Sequence, residues 1–133
     1  MKIYIAYKFT AEDPLVLKET LHNISLSLKK ANHSVFCSFW KSDFFKENNF
    51  TNKQIIEYAI KELDSSDIVL AFVNSDEKSE GMLLELGYAL AKKKKIYLAI
   101  KKGVKTVFIE ELSDTVIEFD DLEELYSKLS TTR

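Results

Sequence analysis

"DIVLAFVNSDEKSEGMLLELGYALAKKKKIYLAI", residues 67 to 100, decides how this chain folds. Residues 67–73 form an apolar run with almost no polar interruption, and "KIYLAIKK" at 95–102 begins another. Runs this short and unbroken, rich in β-branched and aromatic residues, are strands covered on both faces. Between them "SEGMLLELGYALAKKK" has helical periodicity, with Met82, Leu86, Ala89 and Leu90 on one stripe and Ser79 at the start as an N-cap. A strand, a helix and a strand in that order predict a right-handed crossover between parallel neighbours.

The pattern repeats in both directions. "KIYIAYK" (2–8) reads as a strand that stops at "TAEDP". Asp13 then caps a helix with Pro14 in its first turn, and Leu15, Leu17, Leu21, Ile24 and Leu28 recur at helical spacing as far as Asn32. "HSVFCSFW" (33–40) reads as a second strand and "TNKQIIEYAIKELDSS" (51–66) as its helix. The polar and aromatic stretch between them, "KSDFFKENNF", reads as a lid or substrate loop. "DTVIEF" is a last strand, and Asp120 or Asp121 caps a final helix over "DDLEELYSKLS". The expectation is a single α/β domain over 1–133, a three-layer sandwich with a parallel five-stranded sheet in flavodoxin-like or Rossmann-like order.

Composition limits the partners. The chain has 133 residues, 46% of them hydrophobic, which is enough for a real core, and a formal net charge of −2, which gives no field favouring nucleic acid or an anionic membrane. No apolar run approaches the ~20 residues of a spanning helix, and the N-terminus has no secretory h-region, so a cytoplasmic location is expected. Four lysines at 92–95 end a helix, where they oppose the negative end of its dipole. His22 and His33 lie away from the expected ligand crevice and read as structural, and the lone Cys37 as a buried bystander. No His/Cys metal cluster and no GxGxxG loop is present, so neither a metal nor another cofactor is implied.

In open α/β sheets ligands bind outside the carboxyl ends of the strands. The candidates there are Tyr7, Lys8 and Phe9; Trp40, Lys41 and Asp43; Asn74, Asp76, Ser79 and Gly81; and Lys101 and Lys102. Glu85 stands at the margin of its helix's apolar stripe, beside Tyr88 and Ala89, so its carboxylate is partly desolvated. Ser79 and Gly81 fall where free backbone N–H groups collect, which suits a phosphate. Residue chemistry alone leaves two readings open: a functional carboxylate beside an anion site, or a capped helix with a surface glutamate.

"SSDIVLAFVNSDEKSEGMLLELGYALAKKKKIYLAI" resembles the signature of the nucleoside 2-deoxyribosyltransferase family, which includes 2'-deoxynucleoside 5'-phosphate N-hydrolases. The matching positions are Asp67, Ser79, Gly81, Glu85, Gly87 and Ala89, and "KIYIAYKF" is similar to the family's first strand. The resemblance implies that Glu85 is the nucleophile that attacks C1' of the sugar and forms a covalent glycosyl-enzyme, with hydrolysis or base transfer as the second step. It implies that Ser79, in place of the aspartate of the nucleoside transferases, contacts a 5'-phosphate, which makes the substrate a (deoxy)nucleoside 5'-monophosphate. Tyr7, Lys8, Phe9, Trp40 and Gly81 would complete substrate binding. A homodimer is implied as well.

The sequence departs from the family at two places. Ala59 stands where an aspartate commonly assists the leaving base, with Glu62, Asp43 or Asp76 as substitutes, and Tyr7-Lys8 replaces a small Gly-Ser turn. The alternatives are a catalytically weakened nucleotide-binding or sensor module and a TIR-like NAD glycohydrolase.

Overall fold

The structure, a computed structural model, describes residues 1–9, 12–77 and 79–133. Part of the turn expected at "TAEDP", Thr10 and Ala11, lies outside the described residues, as does Lys78. Strands β1 (Lys2–Ala6), β2 (Ser34–Phe36), β3 (Ile68–Val73), β4 (Lys95–Lys101) and β5 (Thr115–Phe119) form one sheet. Its order is β2-β1-β3-β4-β5 and every neighbouring pair is parallel, which is the flavodoxin-like arrangement.

Helices α1 (Pro14–Lys30), α2 (Ser42–Glu47), α3 (Asn52–Asp64), α4 (Glu80–Ala91), α5 (Ile109–Leu112) and α6 (Leu122–Leu129) join and cover the strands. β3 is buried at every position because both faces are covered. Ile68, Leu70 and Phe72 pack with Leu17, Leu21, Ile24 and Leu28 of α1 and Leu125 and Leu129 of α6. Val69, Ala71 and Val73 pack with Leu63 of α3 and Met82, Leu86 and Ala89 of α4. Each large side chain buried this fully contributes about 1.5–3 kcal/mol.

Local chemistry sets the helix ends as expected. Asp13 accepts the N–H of Leu15 at 2.9 Å, and Thr51 and Gln54 form a reciprocal capping box. Asp121 accepts from Glu124 N–H at 2.8 Å. Asn32 ends the first helical unit in the left-handed region, with φ 68°.

Five expectations are corrected. β1 ends at Ala6, so Tyr7 and Lys8 lie beyond it, on the rim. β2 has three residues, because at Ser38–Lys41 the chain winds into a 3-10 turn that carries Trp40 out of the sheet. The 41–50 stretch is not an open loop: it folds as α2, and Phe44, Phe45 and Phe50 pack on Tyr58 of α3 at ring distances of 5.9, 5.3 and 6.3 Å. Leu90 of α4 is exposed rather than part of the core. The short helix α5 has no counterpart in the sequence reading.

The chain leaves β1 toward β2 on one side and returns to β3 on the other, so a crevice opens between the carboxyl ends of β1 and β3. α4 starts above that crevice and runs down over it.

Candidate active site

α4 begins where Ser79 Oγ accepts the N–H of Met82 at 3.2 Å. Gly81 is already inside the first turn of the helix rather than in a tight turn before it, and a Cβ placed there would meet nothing within 4 Å. The amides of Glu80 and Gly81 therefore stand at an open, positive helix end. Glu85 follows six residues after Ser79, about 9 Å down the axis at 1.5 Å per residue.

The Glu85 side chain turns toward β1, where the phenolic OH of Tyr4 donates a hydrogen bond to its Oε2. Tyr4 is fully buried. Desolvation pushes the Glu85 carboxyl up to about 7, and the Tyr4 hydrogen bond, which favours the ionised form, opposes that rise. Burial and the adjacent Glu85 carboxylate hold the Tyr4 phenol well above its usual value, so Tyr4 stays a neutral donor. An exposed glutamate holding a surface ion pair would not have this environment.

Tyr7 is also near this carboxylate. Burial raises its phenol first, and the charge of Glu85 adds to the rise, while its OH lies 3.2 Å from Ser38 Oγ. Phe39, which the sequence reading did not single out, packs between Tyr7 and Phe9 at ring distances of 6.1 and 6.3 Å. Tyr4 meets Phe36 at 5.5 Å, and Phe36 meets Tyr58 at 6.3 Å, so an aromatic wall runs from the Glu85 partner to α3. Cys37 is buried and its thiol is pushed up to about 12 by desolvation, so it supplies no thiolate.

The other candidates divide. Lys8 reaches the rim of the β3–α4 connection, but its ammonium is paired with Glu77 at 2.8 Å and Glu12 at 3.5 Å. Trp40 is turned away: it packs edge-on against His22 of α1 at 6.1 Å, on the outer side of the β2 edge. Lys102 pairs with Asp120 at 3.1 Å, and Lys101 is exposed at the end of β4. His33 is structural, its Nε2 lying 2.9 Å from the carbonyl of Thr132.

Ala59 of α3, where the acid is absent, packs against the core that α3 shares with α4. Glu62 is at the opposite edge of the sheet, where it pairs with Lys2 at 2.7 Å at the start of β1. Asp67 is at that same edge, accepting the N–H of Lys2 at 2.9 Å. Asp43 is exposed on α2, and Asp76 accepts the N–H of Lys105 at 3.2 Å.

Beside the α4 N-terminus lies a cavity of about 200 Å3. It runs between the β3–α4 connection and the 105–109 segment, and Ser75, Ser79, Met82, Leu83 and Phe108 are among its walls. Among the described residues no cluster of His, Cys, Asp and Glu is arranged to hold a metal ion.

A partly buried carboxylate thus lies below a helix N-terminus at the switch point of a parallel sheet. The family model for nucleoside 2-deoxyribosyltransferase matches residues 3–120.

The chain belongs to the nucleoside 2-deoxyribosyltransferase family.

Solved structures share the fold at low identity. The CMP N-glycosidase BcmB of Clostridium botulinum superimposes with a TM-score of 0.72 at 18% identity, covering 99% of this chain and 100% of that one. The 2-deoxyribosyltransferase of Bacillus psychrosaccharolyticus gives 0.63 at 18% identity, and that of Leishmania mexicana 0.64 at 19%; both cover 97% of this chain and 96% of theirs. No curated protein matches. The nucleoside 2-deoxyribosyltransferase family is one of enzymes that cleave or transfer N-glycosidic bonds, and this chain is accordingly an enzyme of that kind. Among the described residues no helix is long and apolar enough to cross a membrane.

Proposed function

We propose that the protein cleaves or transfers the N-glycosidic bond of a (deoxy)nucleoside 5'-monophosphate, with Glu85 as nucleophile. The observation that carries this reading is the partly buried Glu85 carboxylate held by Tyr4 one and a half turns below an open helix N-terminus. An oxygen of ionised Glu85 bonds to C1' as the C1'–N bond breaks, and the bonding pair leaves with the base. Positive charge that develops on the sugar is stabilised by the carboxylate before the bond closes. Water then attacks C1', the ester bond breaks, Glu85 is released as carboxylate and the proton that water loses balances the one the departed base takes up; a second base in place of water gives transfer. Tyr4 keeps one carboxylate oxygen engaged and leaves the other to react.

Ser79 and the amides of Glu80 and Gly81 are the donors for the 5'-phosphate. Tyr7, Phe9 and Phe39 line the sugar and base side of the crevice. Lys8 contributes through its paired network rather than as a free cation, and Trp40, turned toward α1, has no place at the substrate. No metal or other cofactor takes part in this scheme.

A homodimer is part of the proposal. α4 is apolar on its outer side too, with Leu83, Leu84, Gly87, Leu90 and Ala91 exposed and no charge between them. Leu83, Leu84 and Leu90 are 46%, 61% and 47% exposed on this face, an apolar patch that a partner could cover. An uncharged face meets its own copy across a two-fold axis without like-charge repulsion.

One observation favours a second reading. With alanine at position 59, a base that must be protonated as it leaves has no carboxylic acid there, whereas a base that already carries a positive charge leaves neutral. Nicotinamide is such a base, which keeps an NAD glycohydrolase in view. The test is incubation with nucleosides, their 5'-monophosphates and NAD, with released base read by chromatography. Release from a monophosphate supports the proposal, and release from NAD alone moves the assignment to the second reading. Binding without release from any of them leaves a nucleotide-binding module.

A further inference from the structure

Ser79 lines the cavity at the top of α4, and Glu85, six residues further along the helix, is not among its walls. Glu85 leans toward β1, Ser79 caps the helix, and Met82 and Leu83 face the cavity on the β4 side. A nucleotide with C1' at Glu85 and its phosphate at Ser79 is therefore aimed at the cavity by its phosphate end. Glu85 does not line this space, so the base and sugar do not fill it.

Its walls are chiefly apolar. Phe72 and Val73 from β3, Met82 and Leu83 from α4, and Val107 and Phe108 from the β4–α5 connection enclose about 200 Å3. A cavity of roughly 150 Å3 already accommodates a benzene ring. Among the described residues the mouth carries Lys8 and Lys105 together with Asp76 and Glu77.

We infer that the preferred substrate is a nucleotide whose 5'-phosphate is esterified to an apolar, ring-sized group, and that this group occupies the cavity between the β3–α4 connection and residues 105–109. The inference rests on the proposed N-glycosidic activity at Glu85. The 5'-monophosphate is then the minimal substrate, and the ester adds the burial of one ring.

The experiment compares kcat/KM for base release from a nucleoside 5'-monophosphate and from its 5'-phenyl phosphodiester. The diester should be better by at least tenfold, mainly through KM. In Phe108→Ala, which removes a wall, and in Val107→Trp, which narrows the space, the ratio of diester to monoester should fall at least fivefold; both positions are exposed, so the fold tolerates the changes. Equal rates for the two substrates, or a preference unaffected by both variants, overturn the inference and leave the activity standing. Release of base from neither substrate overturns the activity itself.

Discussion

Tyr4 in β1 donates its phenolic hydrogen to Glu85 in α4, a contact between residues 81 apart in sequence that places one polar pair inside an otherwise apolar layer. The pair is asymmetric. Burial raises both groups: the carboxyl is pushed up to about 7 and the phenol, higher to begin with, is carried out of the titrating range, so only Glu85 of the two changes charge near neutrality.

The nucleophile must be ionised, and this sets the pH dependence. Base release should rise with pH through about 7 and level off above it. Tyr4→Phe removes the hydrogen bond that favours the ionised form, so the rising limb should move to higher pH and the rate at neutral pH should fall. A profile flat from pH 5 to 8 in the wild-type protein excludes Glu85 as the titrating nucleophile.

Glu85→Gln keeps the size and the acceptor for Tyr4 but removes the charge that faces the developing cation. Single-turnover base release should drop by several orders of magnitude while nucleotide affinity changes little, because the lost interaction belongs to the transition state. A variant within about threefold of the wild-type rate, worth only ~0.7 kcal/mol of barrier, would falsify the nucleophile role.

The same substitution should stabilise the fold, with a definite sign in pH. Glu85 binds its proton more tightly folded than unfolded, since about 7 lies above its ordinary 4.5. Its contribution to stability is therefore full below about 4.5 and is lost as pH rises through about 7. The loss is on the order of 3 kcal/mol. Glu85→Gln does not ionise, so its melting temperature should exceed that of the wild type by several degrees at pH 8 and match it near pH 4.5. A lower melting temperature at pH 8 indicates a structural carboxylate.

Ser79→Asp separates capping from phosphate binding. Aspartate caps a helix as well as serine does, so the melting temperature should hold. Its charge repels a phosphate, so KM for a nucleoside 5'-monophosphate should rise about tenfold or more while that for the nucleoside stays within about twofold. Equal changes for both substrates show that Ser79 only caps.

Leu84→Lys places a cation on the exposed face of α4, where Leu84 is 61% exposed. If two copies pack on this face, sedimentation should show the dimer weakened while the monomer's circular dichroism is retained. A wild-type protein that sediments as a monomer at micromolar concentration removes the dimer.

The sequence by itself determined the layers of this protein. Unbroken apolar strands cannot face water, so "IVLAFV" and "IYLAI" had to lie in a sheet covered on both sides, and the capped helices between them required parallel crossovers. Glu85 and Ser79 were legible for the same local reason, because helical periodicity places each residue relative to the stripe and the N-terminus. Contacts across the chain were not. Tyr4 reads as one more strand residue until α4 is laid over β1, and "KSDFFKENNF" reads as polar loop until Tyr58 supplies a surface on which its phenylalanines pack. Glu62 and Trp40 show the limit most clearly. Strand polarity carries Glu62 to the edge away from the site, and a single 3-10 turn swings Trp40 toward α1. The tertiary structure alone decided these points, because the direction of a side chain beyond its own element depends on which surfaces compete to bury it.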